Sequence, residues 1–73
     1  MSTDYAKIFG RNIQHEMDKQ NIELYELANY MDFNTTETMQ LLDGRLMLSI
    51  PEMNKIADFL GVDVKNLGKN KLR

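Results

Sequence analysis

His15 is the chain's one histidine and there is no cysteine, so a nucleophile–base pair or a thiolate metal site has almost nothing to draw on. The remaining side chains assemble no paired-carboxylate cleft and no phosphate-cradling glycine loop with any specificity. The expectation is a chain that is not an enzyme, with no metal, no cofactor and His15 as a solvated surface residue. Charge is the informative pattern. Residues 1–19 carry three bases and three acids and residues 45–73 six bases and three acids, but residues 20–44 carry five acids and no base. Such an acidic middle (Glu23, Glu26, Asp32, Glu37, Asp43) repels a phosphate backbone and is complementary to a basic protein surface. The net charge of −2 points away from a general nucleic-acid binder.

Elements of helical period must position these residues. Ile8, Phe9, Ile13 and Met17 recur at helical spacing and predict a first helix over about 4–19, its buried stripe centred on Phe9 and Ile13. Leu24, Leu27, Ala28 and Met31 follow the same rule and predict a second over about 23–31. Asn34 with Glu37 forms a capping-box pattern, placing a third helix at 35–43 with Gly44 as its stop. Only Asp32 and Phe33 then separate the second helix from that cap, the tight connection of a helix-turn-helix. Ser49, Pro51 and Glu52 are start signals for a fourth helix at 50–60, which Gly61 ends. Asp63 is placed to cap a last turn at 64–67. The chain is therefore expected to be all-α: one compact five-helix domain over 1–68 and a short, frayed basic tail over 69–73. No apolar run approaches the ~18 residues of a membrane span, and no charged-then-apolar signal pattern opens the chain. A cytoplasmic protein with no membrane partner is expected.

Twelve positions carry a resemblance. Ile22, Leu27, Ala28, Met31, Phe33, Leu41, Gly44, Ile56, Ala57, Leu60, Gly61 and Val62 fall, without insertion, where the phage Cro/CI-type helix-turn-helix regulators place their apolar, alanine or glycine signature residues. The chain resembles this xenobiotic-response-element class from about Ile8 to Leu67. The resemblance implies a lambda-repressor-like bundle and a sequence-specific DNA-binding transcriptional regulator, a small phage or mobile-element Cro-like repressor. In that family the third helix enters the major groove of duplex DNA. By position, Thr35, Thr36 and Gln40 would face base edges with Met39 beside them, and Asn34, Arg45 and Arg11 would touch phosphates. Gln40 suits bidentate pairing with adenine, and it shares a helix face with Thr36. Homodimers of the family pair through the last helix and C-terminal segment, which makes Val64, Leu67 and Leu72 the expected dimer contacts on a two-fold operator.

Local departures have their own readings. Thr38 stands where the family buries an aliphatic residue, and its hydroxyl is expected to bond back to the Asn34 carbonyl. Glu37 is expected to serve the cap of its helix. Met17 and Leu42 stand where many relatives have an arginine–glutamate pair, so apolar packing is expected instead. The acidic middle supports an alternative: an interaction module of antirepressor type that binds another helix-turn-helix repressor. Glu23 and Glu26 would form its charged surface, and the apolar run Leu46, Met47, Leu48 its hydrophobic contact.

Overall fold

The computed structural model describes residues 2–69, and it is all helical. Its elements are α1 (Ser2–Gln20), α2 (Leu24–Met31), α3 (Thr35–Leu42), α4 (Ile50–Leu60) and α5 (Val64–Leu67), with no strand among the described residues. The expected ends shift by one or two residues. The first helix starts at Ser2, Glu23 stands outside α2 as its N-cap, and Asp43 outside α3 as its C-cap. Residues 70–73, with Leu72 and most of the basic tail, lie outside the described residues.

The helix starts are held by side chains. Glu37 N–H donates to Asn34 Oδ1 at 2.7 Å, and Asn34 N–H donates to the Glu37 carboxylate at 3.0 Å. Ser49 and Glu52 exchange the same pair of bonds at the start of α4, at 2.9 and 3.3 Å. Each box satisfies two backbone donors that a helix start leaves open. At α5 the expectation fails in detail: Asp63 occupies the N-cap position, but its side chain makes no capping bond.

Four helix ends share one device. Asn21, Asp32, Gly44 and Gly61 all adopt left-handed backbone, with φ of 58°, 59°, 79° and 72°. At each, the next residue's N–H reaches back into the last turn: Ile22 to Met17, Phe33 to Ala28, Arg45 to Gln40 and Val62 to Ala57, at 2.8–3.0 Å. These closures satisfy carbonyls that the helix cannot and turn the chain sharply toward the next element.

The turns fold the helices onto one core. Phe9, Ile13 and Met17 of α1 meet Leu27 and Met31 of α2, Leu41 of α3, Ile56 and Leu60 of α4 and Leu67 of α5. Met17 is buried and Leu42 packs against this core, so apolar contact does occupy both places. α1 packs on α3 and α5, α2 on α3 and α4, and α4 on α5. Gly10 permits the close approach of α1 to the end of α3, because a Cβ there would collide with the backbone carbonyls of Leu41 and Leu42. The exposed face of α1 and the outer face of α3 are thereby brought side by side.

Candidate functional site

The outer face of α3 is where the polar residues gather. Thr35, Thr36, Met39 and Gln40 are all exposed, while Thr38 and Leu41 on the opposite side are buried. Thr36 and Gln40, four apart, form one row, and Thr35 and Met39 the adjacent one. The first turn beneath them is rigid. Besides the capping box, Thr38 Oγ1 donates to the Asn34 carbonyl at 2.9 Å, alongside the Thr38 N–H at 3.1 Å. Asn34 thus has its Oδ1 engaged by the cap, while its amide NH₂ makes no bond among the described residues.

Basic residues converge on the other end of the same helix. Arg11, Lys7, Gln14 and His15 of α1 line a shallow open depression with Asp18, Leu42 and Asp43. Asp43 also pairs with Arg45, Nη2 to Oδ2 at 3.6 Å, in an arrangement exposed on both sides. Arg11 and Arg45, 34 positions apart in sequence, therefore both border Asp43 at the C-terminal end of α3. His15 is exposed on this rim.

The acidic middle is less uniform than its composition implies. The Glu26 carboxylate accepts the Glu23 N–H at 3.0 Å, the Glu37 carboxylate accepts the Asn34 N–H, and Asp43 faces Arg45. Carboxylates at helix starts are favoured by the partial positive charge there. Glu23 stands with Glu26 in a capping box at the start of α2, which leaves Asp32 as the one of the five whose side chain makes no hydrogen bond or ion pair among the described residues. Between Glu23 and Glu26, Tyr25 stands 65% exposed, a residue that sequence pattern did not single out. Tyr30 lies on the α4 side instead, its ring 4.6 Å from that of Phe59 and with Lys55 Nζ 5.6 Å from its centroid.

Two groups of expected contacts need correction. In the apolar loop, Leu48 is buried in the core and Leu46 packs half-buried against it, so only Met47 presents its side chain to solvent, at 56% exposure. A residue locked into the core cannot serve as a partner contact. The same holds for Leu67, which is fully buried among α1, α4 and α5, and Val64 is half-buried against that core. Leu72, the third expected dimer contact, lies outside the described residues. Sequence reading also passed over Ile50, the first residue of α4, which is 72% exposed.

Among the described residues no group of three or more histidines, cysteines or acids is placed to hold a metal ion. No described helix is long and apolar enough to cross a membrane. No known protein family, curated protein or solved structure matches the chain.

Proposed function

We propose that this chain is a sequence-reading DNA-binding regulator, with α2 and α3 acting as a helix-turn-helix and α3 as the element that enters the major groove. The observation that carries the reading is the outer face of α3: Thr35, Thr36, Met39 and Gln40 stand exposed on a short helix whose first turn is pinned by a complete capping box. A helix of this size fits the groove, and threonine and glutamine are residue types that read base edges there. Arg11, Lys7 and Arg45 at its far end supply phosphate partners. Pairing of Asp43 with Arg45 offsets one of the five negative charges on this side of the molecule. The Cro/CI-type resemblance agrees with this arrangement, and a small repressor is the form of regulator it suggests.

Retention of duplex fragments from a genomic pool, at about 50 and 200 mM salt, tests the reading. Enrichment of related, roughly palindromic sites that weakens steeply with salt is expected. A folded protein that retains nothing at the lower salt contradicts it.

One observation favours a second reading. Glu23 and Tyr25 at the start of α2, in a segment with no base from Gln20 to Gly44, form a surface suited to a basic protein such as another repressor. Tyr25→Lys is the clean probe of that antirepressor activity, because Glu23 and Glu26 both serve the α2 capping box. Under the second reading this variant loses the partner, while under the first it binds DNA more tightly.

A further inference from the structure

We propose that His15, once protonated, joins Lys7 and Arg11 in a row of cations on α1 that holds a phosphodiester backbone beside the C-terminal end of α3. The proposal rests on the DNA reading for the nature of its ligand, though not on base recognition by α3. Lys7, Arg11 and His15 follow one another at intervals of four, which sets them on one face of α1 with a rise of about 6 Å between neighbours. All three are exposed, and all three line the open depression of about 580 Å³ between α1 and the end of α3.

Two glycines fix where this row stands. A Cβ at Gly10 would collide with the Leu41 and Leu42 carbonyls, and one at Gly44 would collide with the Lys7 backbone. Gly44 also holds a left-handed φ of 79°, which turns the chain away at the end of α3. The backbone beneath the cations is therefore set by packing on both sides, and only the side chains have to order when a ligand arrives.

Charge makes His15 the deciding member of the row. The charged groups that line the depression with it are Lys7, Arg11 and Asp18 of α1 and Asp43 at the end of α3, and Lys19 lies one turn further along α1. Asp18 accepts a hydrogen bond from Gln14 Nε2 at 3.0 Å, Asp43 pairs with Arg45 at 3.6 Å, and Lys19 pairs with Glu16 at 3.6 Å. Among the described residues no acid forms an ion pair with Lys7, Arg11 or His15. With His15 neutral, Lys7 and Arg11 balance Asp18 and Asp43, and Arg45 leaves one positive charge in excess. A proton on His15 doubles that excess.

Imidazole side chains take up their proton between about pH 8 and 5. A phosphate beside His15 favours the charged form, so binding takes up a proton and duplex affinity rises as pH falls. A phosphodiester keeps its single charge over the same interval, so the ligand adds no titration of its own. His15 is the chain's one histidine, and the ordinary ranges of lysine, arginine, tyrosine and carboxylate side chains lie outside most of this interval.

Binding of the full chain to a duplex of mixed sequence, followed against salt at about pH 5.5 and about pH 8, is the test. At the lower pH the slope of log K against log salt should steepen by up to ~0.9, one more phosphate contact, and affinity at fixed salt should rise up to about 5-fold. His15→Gln should remove both differences, match the wild type at the higher pH and keep its far-ultraviolet circular dichroism spectrum. Arg11→Gln should flatten the slope at both pH values, whereas Lys55→Gln, beside Tyr30 on the α4 side, should change it at neither. A slope that does not respond to pH, or a response that persists in His15→Gln, overturns the proposal; selective retention of genomic sites by the same protein would leave base reading by α3 standing. A response that His15→Gln abolishes, in a protein with no sequence-selective retention, supports the proposal and rejects base reading. No duplex binding at either pH at about 50 mM salt overturns both.

Discussion

The Asn12 amide is buried and donates to two backbone carbonyls, that of Leu67 at 2.8 Å and that of Lys69 at 2.7 Å. It ties the end of the fold to α1. Asn12→Ala leaves those carbonyls without this donor, so urea denaturation should show a loss of about 1–3 kcal/mol. Thr38 makes the opposite case: its hydroxyl shares an Asn34 carbonyl that the Thr38 N–H already satisfies. Thr38→Val should therefore change stability by no more than about 1 kcal/mol in the same measurement. Asp32 holds left-handed backbone at φ 59° without being glycine. Asp32→Gly should raise stability by roughly 0.5–1 kcal/mol, read as a higher unfolding midpoint. The Thr38 hydroxyl bond was legible in sequence, because it spans four residues of one helix. The partners of Asn12 lie 55 and 57 residues away, beyond any local spacing rule.

Helix starts and ends account for most of what could be read at the level of elements. Asn34–Glu37 and Ser49–Glu52 are local chemical patterns, and both form the bonds that their types and spacing require. Gly44 and Gly61 were legible as stops for the same reason. Asn21 and Asp32 perform the identical turn, but neither residue type demands it, so their conformation appears only in the structure. The α3–α4 loop shows the limit most clearly. Leu46, Met47 and Leu48 are three consecutive apolar residues without a period, and only packing decides that Leu48 turns inward while Met47 turns out. Caps also separate folding from the proposed recognition on α3. Asn34→Ala should cost about 1 kcal/mol of stability by thermal melting, whereas Thr36→Ala, on an exposed position, should leave the midpoint nearly unchanged.

For the whole molecule, one apolar core places α1 against α3 and so brings Arg11 and Lys7 to the end of the helix that carries Thr36 and Gln40. The five-helix, all-α architecture was legible because each apolar stripe repeats with helical period. The candidate face was legible only in part: composition located the five acids, but the bonds of Glu26, Glu37 and Asp43 depend on where caps and an arginine fall. In the proposed function α3 is the reading element, and this is open to direct measurement. Binding of wild type and Gln40→Ala to a set of single-base variants of an enriched duplex site, at fixed salt, reports discrimination base by base. If α3 reads bases, Gln40→Ala loses roughly 1–3 kcal/mol of discrimination at one base position and keeps it elsewhere, with its melting midpoint unchanged. Equal discrimination by both proteins at every position would contradict it.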